Sequence, residues 1–340
     1  MNVEELNRIA RMMTERGKGI LAADESTGTI QKRFDKIGVE NTEENRRDYR
    51  ELMFRAREGM KHVSGVILFD ETIRQKAKDG TPLIRLIEQA GAVPGIKVDK
   101  GAKPLAASRG DTVTEGLDGL RERLVEYRQL GARFAKWRAT YDPTEGRPSY
   151  NAINANAHAL ARYAALCQEN GIVPIVEPEV LMDGDNSIDA CEAVTEWVLK
   201  DVFQQLYYAN VALEGMVLKP NMVISGMKAK ERAGVEEVAD RTVKILKRCV
   251  PSAVPGIAFL SGGQSDEEAT AHLNAMNAAH PALPWALTFS YGRALQAAPQ
   301  KAWSGKAGNV AAAQAAFAHR ARMNGLASTG QWKKDMEKAA

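Results

Sequence analysis

The chain has 340 residues, 44% of them apolar, and its 46 basic and 43 acidic side chains leave a net charge of +3. That is enough for one large domain or two modest ones around a substantial core, and too little charge bias for a nucleic-acid binder. No run approaches the ~18 apolar residues of a membrane span, and the charged, amphipathic start Met1–Gly17 is no signal peptide.

Along the chain one pattern recurs: a short apolar run ending in polar residues, then an amphipathic helix. The strand-like runs are Gly17–Ser26, Gly65–Asp70, Gly95–Lys100, Phe134–Arg138, Ile172–Val180, Met216–Val223, Gly256–Gly263 and Trp285–Gly292. Short, apolar and bounded by Gly or Pro, they read as buried parallel strands. Between them, Thr81–Pro82 reads as an N-cap with proline at the first helical position. Leu117, Leu120, Leu124 and Tyr127 share one helical face, as do Cys191, Val194, Val198 and Val202. Ser265 with Glu268 reads as a capping box. Asp99, Arg138, Glu179, Lys219 and Ser261 follow one another at 39, 41, 40 and 42 residues. Eight strands in a unit of constant length predict an α/β fold, a closed parallel (β/α)8 TIM barrel. A doubly wound sheet is the competing architecture, but Asp24-Glu25-Ser26-Thr27-Gly28 is not its Gly-rich dinucleotide loop.

Cys167, Cys191 and Cys249 lie far apart in helix-like stretches and read as buried, inert thiols of a cytoplasmic protein. The five histidines are scattered and expected in solvent-facing or capping roles, which leaves no set with metal-ligand spacing.

In a barrel, function sits at the C-terminal ends of the strands. Here those ends carry charge at spacing two: Lys97 and Asp99, Lys136 and Arg138, Glu177 and Glu179. Each pair shares one face of its strand, and in a barrel one face is the interior. Charges there are costly unless they pair or react. Lys219 ends an apolar strand and precedes Pro220. Desolvation and a second cation, for which Lys136 is placed, favour the neutral amine that attacks a carbonyl. Glu177 and Glu179 are placed for the proton transfers of a carbinolamine. The bland alternative is that Lys219 merely neutralises one of them.

Ser261-Gly262-Gly263-Gln264 follows the seventh strand and Ser290-Tyr291-Gly292-Arg293 the eighth, where barrels often build a phosphate site from backbone N–H groups. Lys32 and Arg33 with Lys97 and Arg138 offer a second phosphate site, against which stands plain surface solvation of Lys32 and Arg33. The residues together describe imine chemistry on a phosphorylated ketose.

Seven stretches, Gly17–Gly28, Gly95–Gly101, Phe134–Arg138, Ile172–Val180, Leu213–Val223, Leu260–Gln264 and Leu287–Leu295, make the chain resemble class I fructose-1,6-bisphosphate aldolase. The resemblance implies that Lys219 is the Schiff-base lysine and Glu177 the acid/base for imine formation, tuned by Glu179 and Lys136. It implies that Asp24 takes the proton from the hydroxyl at the bond being cleaved. Ser261, Gly262, Ser290, Gly292 and Arg293 would hold the phosphate on the ketone half. Ser26, Lys32, Arg33, Lys97 and Arg138 would lie toward the other. It further implies a phosphorylated sugar substrate, no cofactor, no metal, and a cytoplasmic homotetramer in glycolysis and gluconeogenesis. Many animal members end in a catalytically useful tyrosine, whereas the last tyrosine here is Tyr291. The expected layout is one barrel domain over 1–305 and a tail over 306–340, with an Ala-rich helix over Asn309–Arg322 and a mobile, charged end. The rivals are a Schiff-base aldolase for a shorter or singly phosphorylated sugar, a non-catalytic sugar-phosphate-binding regulator, and metal-dependent aldol chemistry.

Overall fold

The structure, a computed structural model, describes residues 1–144 and 146–338. Eight parallel strands close into a barrel: β1 (Gly19–Ala23), β2 (Val63–Leu68), β3 (Val93–Lys97), β4 (Phe134–Tyr141), β5 (Val173–Val180), β6 (Val217–Leu218), β7 (Gly256–Phe259) and β8 (Ala286–Tyr291). The ring closes where β1 pairs with β8, Ile20 opposite Ser290 and Leu21 opposite Tyr291. β4 and β5 form the longest ladder, which sets Arg138 opposite Glu177 and Thr140 opposite Glu179.

Strand alternation sorts the side chains. Ile20, Ala22, Ile67, Val93, Phe134, Val173, Ile175, Val217 and Ala258 fill the barrel interior. Their neighbours in sequence, such as Leu21, Ala135, Val176 and Leu218, pack outward into the larger core under the helices. Phe134 fits inside because Gly95 faces it; a Cβ at Gly95 would overlap the ring. The N-terminal helix Val3–Met13 buries Leu6, Ile9, Ala10 and Met13 against the interior set, so it plugs the N-terminal end of the barrel.

Several expectations shift. β6 stops at Leu218, well short of Val223, because Pro220 has no N–H for the ladder. Pro82 sits at the N-cap of helix Leu83–Gln89, one position earlier than expected, and bridges to Lys76. A short antiparallel hairpin, Ala102–Pro104 with Thr112–Thr114, was not foreseen. The capping box is present at Ser265 and Glu268. All three cysteines are free and buried. His272 is not solvent-facing: it is buried, its Nδ1 2.6 Å from Gln264 Oε1. The tail contains helix Val310–Ala327 and a 3-10 turn over Lys334–Lys338. Where a mobile end was expected, Glu337 in that turn is bonded to His319, Arg320 and Trp332.

Candidate active site

The alternation that fills the barrel also builds the site. On β5 the inward series Val173, Ile175 runs on to Glu177 and Glu179; on β4 Phe134 runs on to Lys136 and Arg138. On β6 Val217 is followed two residues later by Lys219, whose backbone N–H donates to Val176 O at 2.9 Å. Asn221 fixes the chain beyond it, its Oδ1 accepting from Val180 N at 2.9 Å.

Glu177 lies between two lysines. Its Oε1 is 3.2 Å from Lys219 Nζ and its Oε2 3.3 Å from Lys136 Nζ. Lys136 Nζ is also 2.8 Å from Asp24 Oδ2, just past β1. All four side chains are at most 12% exposed, so the two ammonium and two carboxylate groups must balance one another away from water. Burial opposes the charge on Asp24, yet Lys136 and then Lys219 outweigh it and hold its pKa at about 2. Burial likewise pushes Lys136 down, but Asp24, Glu177 and Asp99 together raise it above the ordinary lysine value. In the free site these contacts favour the ammonium form of Lys136 and the carboxylate form of Asp24, the form that can accept a proton. Glu177 Oε2, although near Lys136, has no donor in hydrogen-bond geometry among the described residues.

Around this centre lie two more pairs. Lys97 Nζ donates to Asp99 O at 2.8 Å and Oδ1 at 2.7 Å. Arg138 donates to Glu179, and its side chain, 40% exposed, extends to the mouth.

The other wall is the loops after β7 and β8. Ser261 and Ser290 are buried, and Ser290 Oγ has no hydrogen-bond partner among the described residues. Gly263 has φ +73°, and a Cβ there would overlap Met182, so only glycine lets the turn lie this close. The loops lead into helices Asp266–Ala279 and Arg293–Trp303, whose N-terminal N–H groups favour an anion.

A cavity of about 340 Å³ joins these parts. It is lined by every residue to which the resemblance gives a catalytic or phosphate-binding role except Lys32, which is exposed on helix Thr27–Asp35. Arg33 turns in, bound to Glu25. The Arg293 guanidinium, expected as a donor to phosphate, donates here to the carbonyls of Ser261 (3.1 Å) and Gln264 and to Asp266 Oδ1 (2.8 Å). Sequence reasoning passed over Glu25, a buried carboxylate that also accepts from Gln296 Nε2 at 2.8 Å and lies 3.9 Å from the buried Arg50. Its place between Asp24 and Ser26 was the available signal. Among the described residues no group of three His, Cys, Asp or Glu side chains is arranged to hold a metal ion, and no helix is long and apolar enough to cross a membrane.

The family model described as fructose-bisphosphate aldolase class-I matches residues 5–340. A probable fructose-bisphosphate aldolase class 1 of Xanthomonas campestris is 59% identical over 334 residues, 98% of this chain and 100% of the relative. Fructose-bisphosphate aldolase C of Rattus norvegicus is 53% identical over 97% of this chain and 91% of its own length. Among solved structures, fructose-bisphosphate aldolase of Plasmodium falciparum, in complex with TRAP and a small-molecule inhibitor, superposes with a TM-score of 0.95 at 50% identity, covering 97% of this chain and 96% of that one.

Proposed function

The chain belongs to the class I fructose-bisphosphate aldolase family, and from that premise we propose how its own side chains divide the reaction, a reversible cleavage of fructose 1,6-bisphosphate to dihydroxyacetone phosphate and glyceraldehyde 3-phosphate. Lys219 Nζ, after passing a proton to Glu177, attacks the C2 carbonyl. Glu177 returns a proton to the departing C2 oxygen, water leaves, and a protonated imine remains. Asp24 takes the proton from the C4 hydroxyl. The C3–C4 bond then breaks, its electron pair flows into the imine, and glyceraldehyde 3-phosphate departs. The proton held by Asp24 is then given up, and the enamine is protonated at C3 by water or by Glu177 once it has taken up that proton; hydrolysis releases dihydroxyacetone phosphate and returns Lys219, Glu177 and Asp24 to their starting forms.

Lys136 holds Asp24 and Glu177 in place without itself exchanging a proton. Glu179 orients Arg138. Ser261, Gly262, Ser290, Gly292 and Arg293 take the phosphate on the ketone half; Ser26, Arg33, Lys97 and Arg138 lie toward the other. Lys32, exposed, acts at most by its charge. The imine is the electron sink, so the steps need no metal or cofactor. By family resemblance the enzyme works as a homotetramer in the cytoplasm, with the barrel over 1–305 as its catalytic domain and 306–340 as a tail.

The observation that carries this reading is the buried contact of one carboxylate, Glu177, with both Lys219 and Lys136. The test is to incubate the protein with fructose 1,6-bisphosphate and excess EDTA, add borohydride, and map the modified peptide by mass spectrometry. A reduced adduct on Lys219, missing in Lys219→Ala, is the expected result. No adduct, with activity lost in EDTA, would overturn the mechanism.

A further inference from the structure

The tail carries a buried ion pair whose hydrogen bonds run back to the loop after β7. Arg320, in helix Val310–Ala327, has a side chain only 6% exposed. Its Nη1 donates to Glu337 Oε2 at 2.5 Å. Its Nη2 donates to Thr270 Oγ1 at 2.7 Å and to the carbonyl of Asp266 at 3.2 Å. Asp266 opens the helix that follows the loop, and its carboxylate accepts from Arg293. Arg293 in turn donates to the carbonyls of Ser261 and Gln264, at the two ends of the loop. Asp266 thus stands between two guanidinium groups: one clamps the loop, the other belongs to the tail.

A buried guanidinium demands a counter-ion. Among the described residues, Glu337 is the only carboxylate paired with Arg320. It is held in place by two further contacts, Trp332 Nε1 donating to Oε1 at 2.9 Å and His319 Nε2 at 3.0 Å from Oε2. Without Glu337, Arg320 would draw for a counter-ion on the carboxylate of Asp266, the residue whose carbonyl it already touches. An Asp266 that serves Arg320 no longer serves Arg293, and the Ser261–Gln264 loop loses its clamp.

We propose that Glu337 is a positioning residue for substrate binding: by neutralising Arg320 it reserves Asp266 for Arg293, and so fixes the loop that receives the phosphate of the ketone half. This rests on the aldolase reading of that loop.

The test uses the full chain with Glu337→Gln, Arg320→Met and the double variant. Steady-state kcat and KM are measured with fructose 1,6-bisphosphate, competitive inhibition with inorganic phosphate, and Lys219 trapping with borohydride in each protein. Glu337→Gln should raise KM and the phosphate inhibition constant together by about ten-fold, with kcat within about two-fold. Removing the buried cation as well should bring KM in the double variant back to within about three-fold of the wild type, because nothing then competes for Asp266. An unchanged KM in Glu337→Gln, or a double variant as poor as the single one, overturns the proposal whatever happens to stability. If Glu337→Gln does not fold, Trp332→Phe removes one donor to Glu337 and should raise KM by about three-fold; no rise there overturns the proposal equally. A wild type that gives no trapped adduct defeats the imine mechanism itself, while a normal adduct with an unmoved KM defeats only the role of Glu337.

Discussion

The carboxylate of Glu177 lies 3.2 Å from the amine of Lys219, both side chains at most 5% exposed. At that distance a proton passes from one to the other without a carrier, which is what a lysine must arrange before it attacks a carbonyl and a carbinolamine before it loses water. Glu177→Gln keeps the shape and removes the proton exchange. Imine formation should slow by about 10² to 10⁴-fold, measured as the rate of borohydride-trapped adduct in a single turnover. An adduct forming at the wild-type rate would remove Glu177 from the reaction.

Lys136 meets Asp24 at 2.8 Å and Glu177 at 3.3 Å. Lys136→Met takes the direct partner from buried Asp24 and leaves Glu177 with Lys219 as its cation. Breaking a buried pair in this way should cost about 3 kcal/mol, read from urea unfolding at pH 7. The cost should shrink as the pH falls toward 4, because Asp24, still buried but without Lys136 beside it, then takes up a proton more readily. A variant equally destabilised at both pH values would show that Lys136 matters by packing alone.

Asp24 couples the site to acid stability. Its folded pKa, about 2, lies below its ordinary 3.8. The unfolded chain therefore binds the proton first, so the contribution is complete above pH ~4 and fades as the pH falls toward 2. It amounts to about 2 kcal/mol, at 1.36 kcal/mol per unit. Between pH 6 and pH 3, wild type should lose more unfolding free energy in urea than Asp24→Asn, by about 1 kcal/mol. Equal losses would mean that the Lys136 contact does not hold Asp24 ionised.

Gly263 carries a positive φ of +73° and lies against Met182. Gly263→Ala meets both the backbone strain and the overlap, so it should cost about 1 to 3 kcal/mol of stability. If this turn receives the phosphate, as the proposed mechanism has it, KM for fructose 1,6-bisphosphate should rise while the lysine is still trapped at saturating substrate. A variant with normal KM would separate the turn from the binding site.

The parts of this site that were legible in the sequence are those governed by local periodicity. Lys136 with Arg138, and Glu177 with Glu179, could be assigned to one face because a strand repeats every second residue, and Val173 and Ile175 show which face that is. What escaped depends on contacts between distant segments. The direction of the Arg293 guanidinium is set by carbonyls in another loop, and the burial of Glu25 by Arg50 and Gln296. That the N-terminal helix is amphipathic was evident; that its apolar face seals the barrel floor was not, because the pattern does not name the surface covered. The hairpin over 102–104 and 112–114 was missed for a simpler reason: the first of its three-residue strands is exposed and leaves no apolar run to read.

β1 and β8 are sealed edge to edge, Ile20 beside Ser290. During synthesis, the ribosome finishes Glu177 and Lys219 while the eighth strand is still unmade. Until it arrives, the nascent sheet is a sector with two bare rims, each offering unpaired backbone to any strand that passes. Capture of the last strand removes both rims at once and in the same step brings Ser290 into the wall of the cavity that Lys219 lines. Protection from misassociation and completion of that cavity are therefore acquired together, late, and as a single event.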